Sequence, residues 1–268
     1  MAADNLFRYF LDRESCPRLS IDRATARLYP EIHAGGFCHE DQRAMFYLRV
    51  NAILRPEHRV LDFGAGRGRY AELDRGTLVD RLATLRGRCR ELVGFDVHPV
   101  VFENPMLDRA FCAPVGAPLP SSDGEFDMIV SWAVLEHIES LEFYARELDR
   151  ILRPGGWFCA WTQNKWGLPA IAARSVPNSL HPRLLRWLGS DRTERDQFPT
   201  FYRMNTLRQL RKLFPGYRHY SFFHNGPPGY HGGRLWLARI IGAYNHFMPK
   251  QGKQHLHVFL RKDEHSPR

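Results

Sequence analysis

Val60-Leu61-Asp62-Phe63-Gly64-Ala65-Gly66-Arg67-Gly68 is the stretch on which the fold turns. Its first half is apolar and strand-prone, and its second half is a glycine loop, so it reads as a strand entering a tight turn ahead of a helix. Glycines let the backbone bend sharply there and leave no Cβ between the chain and a ligand. A helix N-terminus behind such a loop adds N–H donors and the positive end of a dipole. The dinucleotide pattern GxGxxG fails, because Arg69 stands where its third glycine belongs, and Asp62 adds a carboxylate ahead of the first glycine.

Around this loop, short apolar runs alternate with helical stretches, the pattern of a parallel sheet built from βαβ units. Strands are expected at Arg59–Phe63, Glu91–Asp96, Arg109–Ala113, Phe126–Ser131 and Trp157–Trp161, followed by Tyr217–Phe223 and His255–Arg261. Helical spacing marks 40–54, stretches of 70–86, and 141–152, the last ended by the turn Arg153-Pro154-Gly155-Gly156. Asn205 is expected to cap a helix carrying Leu207, Leu210, Leu213 and Phe214. The second strand ends in Gly94-Phe95-Asp96-Val97, which puts a carboxylate at a strand tip beside the loop, suited to gripping ribose hydroxyls with Val97 against an adenine ring.

The 268 residues suit one large α/β domain, and 44% apolar with 25% charged residues is the balance of a soluble globular chain. The N-terminus carries Asp4 where a secretory signal wants cations, and no apolar run reaches the roughly 20 residues of a membrane helix. The expectation is a cytoplasmic protein with reduced thiols, since the five cysteines are scattered and form no CxxC pair. No metal site is expected: His255-Leu256-His257 is read as placing its histidines on opposite sides of a strand, with no cysteine or acid to complete a set. Residues 1–152 hold 19 Arg and Lys against 24 Asp and Glu, and residues 153–268 hold 19 against 5, so the second half carries +14 and should attract phosphate, carboxylate or an anionic lipid surface.

The run VLDFGAGRGRY, GFD, LPSSDGEFDMIVSWAVLEHI and ELDRILRPGGWF, in that order across about residues 59 to 161, resembles the class I, Rossmann-like methyltransferases, particularly the small-molecule group that includes the ubiquinone and menaquinone enzymes. The resemblance implies a doubly wound, mostly parallel seven-stranded sheet with an antiparallel last strand, and S-adenosylmethionine as methyl donor. It implies that Asp62, Gly64 and Gly66 line the methionine end, with Gly68 completing the loop and Ala65 also binding the cofactor, that Asp96 holds the ribose, and that Val97 packs on adenine. Val115 and Gly116 would border the adenine, and Ser131 would face the cofactor. The family usually has an acid where this chain has Val115, which leaves the adenine amino group to backbone contacts. His137, in Leu135-Glu136-His137-Ile138, is a weak candidate for a catalytic base, because the same run serves relatives with very different substrates.

Within one domain, residues 1–40 read as an extension or lid, 41–161 as the cofactor-binding core, 162–204 as a helical insertion, and 205–268 as the end of the sheet with a second insertion at 225–253. The acceptor site is expected in these variable parts, with Tyr29, His33, His39, Trp166, Tyr202, Arg203, His224, Tyr230 and His231 as candidates. The expected acceptor is a small molecule, with phosphorylated and lipid- or sugar-linked compounds admitted by the charge. The basic, amphipathic stretch from Lys165 to Leu188 fits either a helical lid or a contact with an anionic membrane. Methylation of RNA or another nucleic acid is the main alternative, favoured by the basic half, although no Asn/Asp-Pro-Pro-Tyr/Phe motif follows strand four. A non-catalytic binding protein and a nicotinamide oxidoreductase complete the alternatives, and oligomeric state is open.

Overall fold

The computed structural model describes residues 22–68, 76–168, 170–171 and 199–264. Its strands are β1 (Arg59–Phe63), β2 (Glu91–Asp96), β3 (Arg109–Cys112), β4 (Phe126–Trp132), β5 (Leu152–Gln163), β6 (Tyr217–His219), β7 (Phe222–His224) and β8 (His255–Lys262). They form one sheet in the order β3-β2-β1-β4-β5-β8-β6, with β7 also on β8. The first five pair in parallel, and β8 runs antiparallel to β5, β6 and β7. The sheet has eight strands rather than seven because the expected strand 217–223 is interrupted at Tyr220-Ser221. Its register does not slip, since His219 faces Leu260 and Phe222 faces His257. Between them the Ser221 hydroxyl, in place of a backbone carbonyl, accepts the Phe259 N–H at 3.2 Å.

β5 starts at Leu152 rather than Trp157. The Phe126–Leu152 pair is followed by Met128–Trp157, so Arg153-Pro154-Gly155-Gly156 bulges out of the strand instead of preceding it, with Gly155 at φ +76°.

The helices are α1 (Arg23–Leu28), α2 (Gln42–Ile53), α3 (Leu78–Ala83), α4 (Leu141–Ile151), α5 (Leu207–Leu213) and α6 (Leu235–Phe247). The carboxylate of Asp41 accepts from the N–H groups of Arg43 and Ala44 and so starts α2. The expected cap of α5 needs correction by one residue. Thr206 caps it by accepting from Gln209 N–H, whereas the Asn205 amide turns inward to the Gln163 carbonyl at 3.0 Å and the Thr162 hydroxyl. A hydroxyl suffices at a cap, while an amide can also meet two acceptors in the interior. Residues 69–75, 172–198 and the first 21, with them Arg69 and most of the expected 162–204 insertion, lie outside the described residues.

Helices cover both faces of the sheet. α2 lays Phe46, Tyr47 and Val50 against Val60, Met128, Val130, Cys159, Trp161 and Phe259. α4 and α5 lay Tyr144, Leu148, Ile151, Leu210 and Phe214 against Leu61, Ile129, Phe158, Val258 and Leu260. Adjacent residues of one strand therefore enter different cores, which is why the strands read as unbroken apolar runs. Because β1 lies between β2 and β4, the connections diverge at its C-terminal end and open a crevice there, the usual ligand position in such sheets.

Candidate functional site

The glycine loop leaves β1 at this crevice. Gly64 N–H and Ala65 N–H both donate to the Phe95 carbonyl, at 2.8 and 2.9 Å, which folds the loop over the tip of β2. Gly64, Gly66 and Gly68 have φ of +79°, +56° and +74°, but their surroundings differ. A Cβ on Gly64 would lie 2.3 Å from Val134 Cγ2, and one on Gly68 2.3 Å from Asn104 Oδ1, so these two glycines are required by the protein's own packing. A Cβ on Gly66 would meet none of the described residues within 4 Å. Its side faces open space, the kind of cradle that admits a ligand to backbone contact.

Two carboxylates flank that space. Asp96 accepts Gly66 N–H on Oδ2 and His98 N–H on Oδ1, both at 2.9 Å, which orients both oxygens and leaves lone pairs on each. The Asp62 carboxylate makes no hydrogen bond with the described residues. Burial, with the charge of Asp96 adding to it, pushes its carboxyl up to about 7. An arriving cation would relieve both effects. Asn104 was not singled out in the sequence, yet it is buried and ties the loop: its Nδ2 donates to the carbonyls of Ala65 and Gly66, at 3.1 and 3.2 Å. An Asn-Pro step beyond a strand tip looks like any turn, so nothing local announces it.

Val97 and Val115 are exposed beyond β2 and β3, at 43% and 67%. Gly116, at φ +80°, receives its tether from α4, where the Tyr144 hydroxyl accepts Gly116 N–H at 3.3 Å. Ser131 is fully buried, and its hydroxyl donates to the Phe63 carbonyl at 2.9 Å, clipping β4 to β1. His137 is half-buried, with Nδ1 2.7 Å from the Pro199 carbonyl. Its neighbour Glu136 is buried and accepts from the Thr162 hydroxyl at 2.7 Å, while the Glu136 carbonyl receives Phe201 N–H and Tyr202 N–H. The Leu135–Ile138 run thereby anchors the chain that returns from the insertion.

Beside the loop a row of aromatic rings packs between α2 and the sheet. Ala133 follows β4 at φ +59°, a strained conformation for a residue with a Cβ, and it is held there by donating to the Trp161 carbonyl at 2.9 Å. The Trp132 ring stacks on Trp161 at 4.4 Å and on Tyr47 at 5.7 Å, and Trp161 continues to His255 at 4.9 Å. The register explains the row: Trp132 pairs with Trp161, Trp161 with His257, and His257 with Phe222. His255 and His257 share this face, which corrects the expectation of opposite sides; residues two apart on a strand point the same way. Burial holds both imidazoles neutral, pushing His255 down to about 3 and His257 to about 2. Trp161 Nε1, His255 Nδ1, both ring nitrogens of His257 and Gln42 Oε1 are buried without a hydrogen-bond partner among the described residues. Among the described residues no group of three or more His, Cys, Asp or Glu is arranged to hold a metal.

The expected acceptor residues scatter. His224 is the one that joins the imidazole row, 5.5 Å from His257, with Nε2 on the Glu40 carbonyl at 3.2 Å. Tyr202, at φ +51°, donates to Gln163 Oε1 at the end of β5, and Arg203 donates to the Glu139 carbonyl. Tyr29 donates to Glu40, His39 pairs with Glu31 at 2.7 Å, and His231 lies 3.4 Å from Asp22. Tyr29 and His39 line a shallow groove of about 280 Å³ against α6. His33, Trp166 and Tyr230 have no place in the row.

Residues 33–215 match the family described as a methyltransferase domain. A ubiquinone biosynthesis O-methyltransferase from Brucella ovis is 25% identical over 134 residues, 48% of this chain and 49% of that protein, so the chain spans about half the length of the curated relatives it matches. Among solved structures, YcgJ from Bacillus subtilis superposes with a TM-score of 0.51 at 18% identity, covering 83% of this chain and 99% of that one. A Haloferax volcanii complex of the Trm112 methyltransferase activator with a methyltransferase gives 0.52 at 14% identity over 91% and 96%. These two likenesses concern the fold.

Proposed function

The chain belongs to the methyltransferase domain family, an S-adenosylmethionine-dependent class of enzymes, and from that premise we propose that it transfers the methyl group of S-adenosylmethionine to a small-molecule acceptor. The observation that carries the reading is the pairing, among the described residues, of an open Gly66 with an Asp62 carboxyl that has no hydrogen-bond partner and is raised to about 7. The donor is cationic at its ammonium and sulfonium groups, and Asp62 would be the carboxylate that meets that charge. Asp96, already oriented by two backbone donors, has lone pairs for ribose hydroxyls, and the exposed Val97 supplies an apolar surface for the adenine.

When bound, the donor supplies an activated methyl, so the protein's work is to align a nucleophile and keep water away. The Tyr47, Trp132 and Trp161 rings would serve the second task, as an apolar wall starting beside Val134, which touches the loop. Trp161 Nε1, Gln42 Oε1 and His255 Nδ1 would serve the first, as a neutral set of donors and acceptors for a polar group on the acceptor. Neutral imidazoles at such depressed values hold and orient a substrate rather than take its proton at ordinary pH. His137, committed to the Pro199 carbonyl, fits an anchor better than a base.

The name of the Brucella relative supports a small-molecule acceptor over RNA, and the +14 of the second half supports a phosphorylated or lipid-linked one. A cytoplasmic enzyme working at the inner face of the membrane fits both; among the described residues no helix is long and apolar enough to cross it. Calorimetric titration with S-adenosylmethionine and with NAD tests the donor, and only the former is expected to bind. A labelled-methyl assay on cell extract separated into lipid, nucleic-acid and small-molecule pools tests the acceptor. Label confined to RNA overturns the acceptor class.

A further inference from the structure

Helix α6, Leu-Trp-Leu-Ala-Arg-Ile-Ile-Gly-Ala-Tyr-Asn-His-Phe, contains no acid and is mostly apolar, yet its buried residues are only Ala238 and Asn245. Trp236, Ile240 and Phe247 stand exposed at 57%, 58% and 82%, and with the exposed Ala243 they recur at intervals of four, three and four along one side of the helix. The helix is held in place by polar bonds near its end. Asn225 Nδ2 donates to the Asn245 carbonyl at 2.7 Å, Gln254 Nε2 to Asn245 Oδ1, and Gln254 N–H to Asn225 Oδ1, both at 2.9 Å. A contiguous apolar crest of this kind on a helix fixed to the body of a protein marks a contact surface.

Charge identifies what it contacts. Residues 225–253 include Arg234, Arg239, Lys250 and Lys253 and not one Asp or Glu. A second exposed apolar set adjoins the end of the helix. Asn164 Nδ2 donates to the carbonyls of Gln251 and Lys253, both at 2.7 Å, and this brings the turn carrying Lys165, Trp166 and Leu168 alongside, with Trp166 55% exposed. Tryptophan and phenylalanine on a crest rimmed by arginine and lysine match the bilayer interface, where rings sit at headgroup depth and cations meet anionic lipid. A second copy of the same surface would set like charges against each other.

We propose that the exposed side of α6, extended by the Lys165–Leu168 turn, docks the protein on an anionic lipid surface. Docking stands apart from methyl transfer, and vesicle binding and S-adenosylmethionine calorimetry are read separately.

The test is co-sedimentation of the full chain with phosphatidylcholine vesicles, with and without phosphatidylglycerol. Wild-type protein is expected to pellet with the anionic vesicles only, and raised salt should release it. The double variant Ile240→Glu, Phe247→Glu is expected to lose partitioning at least about tenfold with its melting temperature unchanged, since both side chains are exposed. Arg239→Gln and Lys250→Gln should each weaken partitioning roughly fivefold. Failure of the wild type to bind anionic vesicles, undiminished binding by the double variant, or a dimer that the double variant dissolves without any lipid binding would each overturn the proposal.

Discussion

At the β1–β2 end of the crevice the geometry is made by backbone: Gly64 and Ala65 hang from the Phe95 carbonyl, Gly66 N–H aims Asp96, and Asn104 spans two loop carbonyls. At the β5–β8 end it is made by side chains, a row of tryptophan and imidazole rings in which Trp161 Nε1, His255 Nδ1 and both nitrogens of His257 find no partner among the described residues. The first region is charged and the second is kept neutral by burial. A backbone cradle fits one ligand shape and changes little under substitution elsewhere, whereas a wall of side chains is altered by a single replacement. The contrast accounts for why the donor is easier to name than the acceptor.

The largest effect expected is on the cradle. Gly66→Val should abolish S-adenosylmethionine binding, an affinity loss of at least about 100-fold by calorimetry. Because a Cβ there meets no atom of the described residues, the variant should remain folded apart from the cost of a branched residue at φ +56°. Gly64→Ala makes the opposite case. Its methyl would strike Val134, and overpacking of this kind costs roughly 1–3 kcal/mol, read as a lower melting temperature. A folded Gly66→Val protein with undiminished affinity would dissolve the distinction between the two glycines.

Asp62 ranks next. Its carboxyl titrates near 7 in the folded protein and at 3.8 when unperturbed, so the folded state holds the proton more tightly. The ionised form therefore destabilises the fold, stability from this group falls as pH rises from 3.8 to about 7, and the penalty is complete above that. A cationic donor needs the ionised form, so its affinity should instead weaken as pH falls below about 7. Asp62→Asn should flatten both dependences. It is expected to weaken the donor by about tenfold, and to raise the melting temperature by about 2–4 °C for each kcal/mol of relieved strain. Equal pH profiles of binding for variant and wild type would remove Asp62 from the cation's site.

At the neutral end, His255→Phe replaces a buried imidazole, whose Nδ1 has no partner among the described residues, with an apolar ring. Stability should hold or rise by up to about 1 kcal/mol, because an unsatisfied polar atom is removed from the interior. Donor affinity should stay unchanged while KM for the acceptor rises. A fall in donor affinity of the same size would merge the two regions into one.

How far these regions could be read beforehand follows the range of the forces that make them. β1 to β4 and the carboxylates at their tips are visible because periodicity, glycine and strand-end acids are local signals. The bulge at Arg153–Gly156 looks like a turn, since a proline-glycine run signals reversal whether it stands before a strand or inside one. Asn205 and Thr206 are both good caps by residue type, and only the interior acceptors at Thr162 and Gln163 decide between them. The Trp132–Trp161–His255 row joins β4, β5 and β8 through register alone, which no window of sequence contains. The shared face of His255 and His257 was within reach, given the period of two in any strand.

The smallest effect separates two roles for one hydroxyl. Family resemblance aims Ser131 at the cofactor, whereas its Oγ is buried and donates to the Phe63 carbonyl, which precedes the glycine loop. If the clip is its whole role, Ser131→Ala costs roughly 0.5–1.5 kcal/mol of stability, the ordinary worth of one hydrogen bond, and leaves the donor's dissociation constant unchanged. If the hydroxyl also reaches the donor, the dissociation constant rises together with the loss of stability. Measuring both on one variant distinguishes them, because the loop is additionally held by Phe95 and Asn104 and should keep its shape when the clip is cut.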